Sequence, residues 1–467
     1  MKILTSLRNP KSKTPSSRQT NGGAKDMTNG DPMSLILGFT IPTLIGLLFQ
    51  QFYSLVDTII VGKCIGVHAL AAVGSTGSIN FMILGFCMGI CSGFAIPIAQ
   101  RFGAGDYESL RKFLANGIYL SVIFSVVITI IVAVFCRSIL VLMDTPADIL
   151  EDAYKYIYII FLGIPITFLY NLTSGILRSL GDSKTPVYFL LLASLINIVL
   201  DLWFIANIGM GVEGAAYATV ISQFIAGSGC LIFMILKFPI LHISRSEAAI
   251  DKHYMSLLCG MGVPMGLQYS ITAIGSVILQ RATNSLGSAA VASITAASKL
   301  NMFLVCPFDA MGATMATFGG QNVGAKKLLR IKQGLKDCIL LGAGYSVISF
   351  SAIVLAGKKL LLLFLDAKET VILNDAYKFL FVTGLFYFLL AIINIVRFLI
   401  QGMGFPRFAI LAGVCEMVAR TLVSFILVPS FGFNGVCFAH PAAWIMADAF
   451  LIPAFFYVYK KLEQVFN

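Results

Sequence analysis

The chain of 467 residues is 58% hydrophobic and only 12% charged, whereas soluble domains are roughly 25% charged. Length alone would suggest about three globular domains, but this composition excludes an ordinary soluble protein and favours a lipid bilayer as the solvent. The net charge of +11 does not indicate nucleic acid, because the positive residues concentrate in alternate loops between apolar runs, as in membrane proteins.

Residues 1–32 are rich in Ser, Lys, Asn and Gly and contain no apolar run. We expect a disordered tail here and no cleaved signal peptide. Twelve apolar runs follow, each long enough to cross ~30 Å of hydrocarbon as a helix. The predicted spans are 35–62, 70–99, 113–136, 153–177, 186–207, 212–236, 255–280, 290–319, 333–356, 371–400, 407–429 and 435–459. The sequence therefore predicts an all-α membrane protein with twelve transmembrane helices.

The chain also contains nearly the same pattern twice, at an offset of 221 or 222 residues. The recurring elements include Ile41-Pro42 and Val263-Pro264, Gln100 with Gly103-Ala104 and Gln321 with Gly324-Ala325, and Gly211 with Gly214 and Gly432 with Gly435. Six spans per copy predict two parallel six-helix bundles, related by a pseudo-two-fold axis along the membrane normal. The predicted domains are a cytoplasmic tail 1–32, an N-lobe 33–236, a cytoplasmic linker 237–254, a C-lobe 255–460 and a cytoplasmic tail 461–467.

Loop charges predict the orientation in the membrane. Alternate loops on the side of the first tail hold sixteen Lys or Arg residues, a count that includes Arg397, and the opposite loops hold six. The positive-inside rule then places both termini in the cytoplasm of a multi-pass protein of the cell (plasma) membrane.

Acidic residues within the apolar runs are the sharpest functional signal, since each costs roughly 2.5–3.5 kcal/mol to insert and needs a partner or a wet cavity. Asp57 lies in the first span, and Asn197 and Asp201 lie one helical turn apart in the fifth. Asp57, Asp201 and Thr219 of the sixth span all lie roughly 7–11 Å below the outer end of the bundle at 1.5 Å per residue. We expect them to form a site for a proton or a hard cation such as Na⁺.

The second repeat serves as an internal control for this site. At the offset of the repeat, Asp57 corresponds to residues 277–279 and Asp201 to residues 421–423, and neither segment contains an acid. Carboxylates required by the fold itself should occur in both copies, so this asymmetry favours a function in the N-lobe. The alternative is two unrelated buried polar residues, each satisfied locally.

Other polar residues within the spans give weaker signals. Glu416 and Arg420 are one turn apart and predict a structural ion pair. Lys299 and Asp448 are left without an assigned role. Aromatic faces attract cations. The predicted substrate contacts are therefore Phe49, Phe52 and Tyr53 near Asp57, together with Asp309 in the second repeat.

Several motifs of enzymes and of ATP-driven transport do not occur. The sequence contains no GxxxxGK[ST], no HExxH, no paired CxxC and no DDxxD. We therefore predict that the chain is not an enzyme and has no cofactor other than a coupling ion, and no obligate protein partner is evident.

Together these residues resemble the multidrug and toxic compound extrusion (MATE) family in its bacterial branch. The resemblance covers about 33–460 and rests on Val56-Asp57-Thr58, Gln100 to Gly105, Arg178 to Asp182, Asn197 with Asp201, and Gly211 to Ala216. It implies a V-shaped pair of bundles with alternating access, and a first-lobe cation site at Asp57, Asn197, Asp201 and Thr219. Some relatives have an acid near the position of Thr272, and its absence here weakens the case for a second-lobe cation route of that type.

The resulting prediction is a secondary active antiporter. It would export small amphipathic or cationic drugs against inward H⁺ or Na⁺, within the lipid bilayer and with no nucleic-acid partner. A flippase for lipid-linked oligosaccharides remains an alternative, although it would call for a basic cleft, and a membrane-embedded enzyme is a remote one.

Overall fold

The computed structural model describes residues 24–143 and 145–466, and every regular element in that part of the chain is helical. The helices are α1 (Pro32–Cys64), α2 (Val67–Ser75), α3 (Gly77–Ala104), α4 (Tyr107–Leu142), α5 (Leu150–Leu162), α6 (Ile164–Ser179), α7 (Lys184–Asp201), α8 (Val212–Lys237), α9 (Lys252–Asn284), α10 (Ser288–Gly324), α11 (Leu328–Leu361), α12 (Thr370–Leu385), α13 (Tyr387–Gly402), α14 (Pro406–Leu422), α15 (Val428–Phe431), α16 (Phe433–Cys437) and α17 (Ala439–Phe466).

The lengths and hydropathies of these helices confirm the predicted membrane architecture. Ten helical runs in the described residues are long and apolar enough to cross a membrane, and two further pairs of bent helices bring the number to twelve. Large apolar side chains also lie on the surface, where Val134 is 70% exposed and Leu355 is 82% exposed. Such a surface suits lipid rather than water.

The two bent pairs lie at corresponding places in the two repeats. Helices α5 and α6 meet at Gly163 with a bend of 47°, and α12 and α13 meet at Phe386 with a bend of 53°. Helices α1 and α9 each continue through their prolines, Pro42 and Pro264, as one helix. The measured breaks lie three spans further along each repeat.

Two π-helical turns also recur between the repeats. Leu202–Asn207 follows α7, and Val423–Leu427 follows α14. A π-helical turn widens the helix by one residue and is often associated with functional sites. The first of these turns begins directly after Asp201.

The Cα positions divide the chain into two compact units. Unit 1 contains Ile45–Gly266 with the described residues before Thr28, and unit 2 contains Thr28–Leu44 and Leu267–Asn467. The core of unit 1 includes the fully buried Phe94 and Phe113, and that of unit 2 includes the fully buried Phe308 and Tyr387.

Within unit 1, glycines allow α3 and the first half of α9 to touch backbone to backbone. A Cβ atom added at Gly89 would lie 2.5 Å from the Met265 carbonyl oxygen, and one added at Gly93 would lie 2.5 Å from the Gly262 Cα. Small residues at helix contacts permit this approach, which supplies much of the packing energy between helices in a membrane.

Replacing Gly89 by Ala should lower the free energy of unfolding in detergent by about 1–3 kcal/mol, because the added methyl group overpacks a backbone contact. The matched control is Gly260→Ala on α9, where a Cβ would lie within 4 Å of no neighbouring atom of the described residues. This variant should be neutral or stabilised by up to about 1 kcal/mol through helix propensity. Chemical denaturation of both variants measures the difference, and equal stabilities would contradict the close-contact explanation.

The N-terminal tail differs from its prediction where the structure describes it. Residues 1–23 of the predicted disordered segment lie outside the described residues. The backbone N–H of Lys25 donates to the Leu180 carbonyl at 2.9 Å, and Met27 and Thr28 are buried. This end of the tail is ordered because it buries an apolar side chain and satisfies its backbone groups.

The polar segment between α8 and α9 is attached to α4. Arg111 donates from Nε and Nη2 to the two carboxylate oxygens of Glu247, at 2.8 and 2.6 Å. Tyr119 Oη donates to the Ala248 carbonyl at 2.9 Å, and Asn116 Oδ1 accepts from the Asp251 N–H at 2.9 Å. Three side chains of one helix therefore hold the loop in place.

The Arg111 guanidinium lowers the pKa of the Glu247 carboxyl from its ordinary value to about 2. A depressed pKa in the folded state stabilises the protein above the unfolded value of ~4.3, and this contribution is lost as the pH falls towards 2. Glu247→Gln should therefore cost about 1.5–3 kcal/mol of unfolding free energy at pH 7, and the cost should shrink below pH ~4. Urea unfolding at several pH values tests this. Glu108→Gln is the control, since Glu108 is exposed and pairs with Lys112 at the surface. A cost independent of pH would exclude the ion pair as its cause.

Candidate functional site

Unit 1 encloses a polar cavity of about 250 Å³. Its polar lining residues come from six helices: Gln50, Tyr53, Ser54 and Asp57 of α1, Asn80 of α3, Tyr156 of α5, Thr167, Tyr170 and Asn171 of α6, Ser194 and Asn197 of α7, and Thr219, Ser222 and Gln223 of α8. None of the residues in this wall is Lys, Arg or His. The cavity therefore combines neutral hydrogen-bonding groups with acidic charge.

Three of the four predicted cation-site residues line this cavity, namely Asp57, Asn197 and Thr219. Asp201 is fully buried at the end of α7, one turn beyond Asn197. In the orientation that satisfies its amide, Asn197 donates to Asp201 Oδ2 at 3.3 Å and accepts from the Thr219 backbone N–H at 3.3 Å. The structure thus brings the four residues together.

The two carboxyl groups lie within hydrogen-bonding reach of each other. The Oδ1 atoms of Asp57 and Asp201 are buried and have no hydrogen-bond partner among the described residues. An ionised carboxylate only accepts hydrogen bonds. A proton on one group, or a cation between the two, would supply the partner that these oxygens lack.

The backbone around Asp201 brings α7 and α8 together as antiparallel neighbours. After the π-helical turn, Gly209 and Gly211 adopt φ of 77° and 64°, a left-handed region that suits glycine. The chain reverses there and starts α8 at Val212. This connection places Thr219 beside Asn197.

The predicted substrate contacts are not all at this cavity. Tyr53 lines it. Phe49 and Phe52 are 48% and 60% exposed, and neither is among the lining residues. Asp309 lies in unit 2, where it accepts a hydrogen bond from Asn394 Nδ2 at 3.1 Å.

The cavity also contains residues that the sequence did not single out. Tyr156 and Tyr170 present aromatic side chains, and Asn171 and Gln223 present amides. Thr167 Oγ1 donates to Gln223 Oε1 at 3.2 Å and so orients that amide. The one signal in the sequence that could have identified them is an amide inside an apolar run, as at Asn171.

Unit 2 confirms the predicted ion pair and adds a third member to it. Arg420 Nη2 donates to Glu416 Oε2 at 3.1 Å, and Arg397 Nη1 donates to Glu416 Oε1 at 2.9 Å. Arg397 had been counted among the loop cations, which is wrong: it lies buried within α13. Its charge is carried inside the helix bundle because Glu416 neutralises it.

One protein-family model matches each of the two repeats separately. The MatE family model matches residues 42–203 and again residues 264–426. The two matched segments begin 222 residues apart, in agreement with the duplication observed in the sequence.

Individual proteins and structures resemble the chain over most of its length. A probable multidrug resistance protein of Bacillus subtilis, YoeA, is 28% identical over 435 residues, which cover 91% of this chain and 94% of that protein. An FAD transporter of Shewanella oneidensis is 26% identical, in an alignment that covers 64% of this chain and 67% of that protein. The outward-facing structure of a multidrug resistance MATE family transporter aligns with a TM-score of 0.87 at 24% identity, over 97% of this chain and all of that one, and shows the shared fold.

Proposed function

The chain belongs to the MatE family of membrane transporters, and from this premise we propose that it exports amphipathic, cationic compounds in exchange for protons or sodium ions that move inward. Members of this family are transporters and not enzymes, and relatives along almost the whole chain are multidrug resistance proteins. The coupling ion and the substrate class are the parts of this proposal that rest on the cavity of unit 1.

The observation that carries the proposal is the Asp57–Asp201 pair. Asp57 lines a cavity whose wall has no basic side chain, and Asp201 of a different helix is buried close to it. Each acid has an oxygen without a hydrogen-bond partner among the described residues. Two like charges in a medium of low dielectric repel strongly. Binding of a proton or Na⁺ removes that repulsion, so the ion is bound much more tightly by a conformer in which the acids are close.

This difference in affinity is what couples an ion gradient to transport. A ligand shifts a conformational equilibrium only as far as it prefers one conformer, and a complete reversal from 1:99 to 99:1 takes about 5.5 kcal/mol. In our proposal the inward-moving ion favours the conformer with the acids paired, and the substrate favours the other. Asn197 on α7 and Thr219 on α8 keep these two helices aligned with each other at the site.

The chemistry of the cavity favours a cationic substrate. The faces of Tyr53, Tyr156 and Tyr170 attract cations, and the only charges in the lining are acidic. Pockets for drug-sized molecules measure roughly 300–1,000 Å³, so the cavity of about 250 Å³ is too small in this conformation to enclose one. We infer that the cavity expands when substrate binds.

An organic anion is the second candidate substrate, since one relative is an FAD transporter. The acidic lining of the cavity disfavours it. A lipid-linked oligosaccharide flippase, which would require a basic cleft, finds no support in this cavity.

We further propose that both termini are cytoplasmic, because the loops on their side carry most of the Lys and Arg.

Proteoliposomes with separately imposed gradients test the proposal. Wild-type protein should export ethidium when an inward Na⁺ gradient or an inward proton gradient is imposed. The proposal requires that one of the two ions drives transport, not both. Flavin adenine dinucleotide serves as the anionic substrate for comparison. Transport of the flavin without transport of any cationic dye would overturn the substrate class, and dye movement that neither gradient affects would overturn antiport.

A further inference from the structure

Unit 2 contains a second group of buried charged residues, contributed by three helices. They are Arg397 of α13, Glu416 and Arg420 of α14, and Asp448 of α17. All four are buried. On the neighbouring helix α9, the Thr272 carbonyl accepts a hydrogen bond from Arg420 Nη1 at 3.4 Å.

Glu416 already neutralises part of this group. Its two carboxylate oxygens accept from Arg397 and from Arg420, at 2.9 and 3.1 Å. Both guanidinium groups are therefore directed towards Glu416. Neither forms an ion pair with Asp448 among the described residues.

Asp448 is only 4% exposed, and neither of its carboxylate oxygens has a hydrogen-bond partner among the described residues. Two charged groups act on the Asp448 carboxylate: Arg397 attracts it and Glu416 repels it. A buried carboxylate without hydrogen-bond donors loses its hydration and gains nothing in exchange. A neutral carboxylic acid avoids most of that cost.

We propose that Asp448 is a proton-binding site of unit 2, separate from the Asp57–Asp201 cavity of unit 1. The charged groups that act on Asp448 are Arg397 and Glu416. Arg420 acts on His440 at the start of α17, and Arg397 also acts on Asp309 of α10. The positive charge of Arg397 acts on this carboxyl group and opposes a metal ion, whereas it tolerates a bound proton, which leaves the carboxyl group uncharged.

Release of the proton has a structural consequence. The ionised Asp448 becomes a second acceptor for Arg397, whose buried Nε has no partner among the described residues. Arg397 can then share its hydrogen bonds between Glu416 on α14 and Asp448 on α17. The protonation state of Asp448 thus sets how these helices are linked through α13.

Infrared difference spectroscopy of the full chain in liposomes tests the proposal. Protonated carboxyl groups have a C=O stretching band that carboxylates lack. Wild-type protein should show such a band at neutral pH and lose it as the pH rises. Asp448→Asn should remove the component of this band that comes from Asp448, while a component from the Asp57–Asp201 pair would remain. The same band should remain in Asp57→Asn, in Asp201→Asn and in the matched control Asp309→Asn, whose native carboxylate has the Asn394 donor.

Stability provides an independent measurement. Asparagine has nearly the shape of a protonated Asp, so Asp448→Asn should unfold at close to the wild-type temperature at neutral pH. An unchanged carboxyl band in a folded Asp448→Asn protein would overturn the proposal. A severe loss of stability in this variant would also overturn it, because it would show that the ionised carboxylate is needed. The readouts involve no transport, so the outcome is independent of the proposed efflux activity.

Discussion

Replacing Asp57 or Asp201 by Asn should reduce ion-driven efflux of ethidium from proteoliposomes to the rate of protein-free liposomes. Each substitution removes one of the two charges that a proton or Na⁺ would neutralise, so the ion no longer prefers one conformer over the other. Initial rates under a Na⁺ gradient and under a proton gradient measure the effect. Binding of ethidium in the absence of a gradient, measured by fluorescence, should persist in at least one of the variants.

The control for these two variants is Asp148→Asn. Asp148 is exposed and lies 3.9 Å from the exposed His68, so its loss should leave efflux unchanged. Asp57→Asn and Asp201→Asn should insert and purify like wild-type protein, because Asn is more easily buried than an acid. Wild-type efflux in both variants would refute the proposed coupling mechanism.

Replacing Glu416 by Gln should lower the free energy of unfolding by about 3–5 kcal/mol. Removing one partner of a buried ion pair leaves its counterpart buried and uncompensated, and here Arg397 and Arg420 share the same carboxylate. Denaturation in detergent by guanidinium chloride measures the change. This is the largest effect on stability that we expect from a single substitution in unit 2.

Two further variants serve as comparisons for Glu416→Gln. One removes an exposed ion pair, and the other replaces all three buried charged residues together. Glu463→Gln removes an exposed carboxylate 4.0 Å from Lys332 and should cost less than about 1 kcal/mol. Replacing Arg397, Glu416 and Arg420 together by apolar residues of similar volume should cost less than Glu416→Gln alone, because no buried charge is then left unpaired. A larger cost for the triple variant would show that the charges themselves, and not their pairing, stabilise unit 2.

The amino-acid sequence by itself determined the membrane architecture, the duplication and the position of the paired acids. Each of these depends on local information. A run of about 20 apolar residues is enough to specify a membrane helix, and the recurrence of Pro42 as Pro264 marks the repeat. Asn197 and Asp201 share a face because they lie four residues apart on one helix, and counting residues from the span ends placed Asp57 and Thr219 at a similar depth.

Only the tertiary structure decided which distant side chains meet. Tyr156, Asn171 and Gln223 line one cavity although no motif connects them, and Phe49 and Phe52 lie outside its wall despite their closeness to Asp57 in sequence. Helical periodicity sets the angle of a side chain around its own helix, but not the neighbour that this side chain faces. For the same reason the pairing of Glu416 with Arg420, one turn away, could be predicted, whereas that with Arg397 depends on how α13 packs on α14.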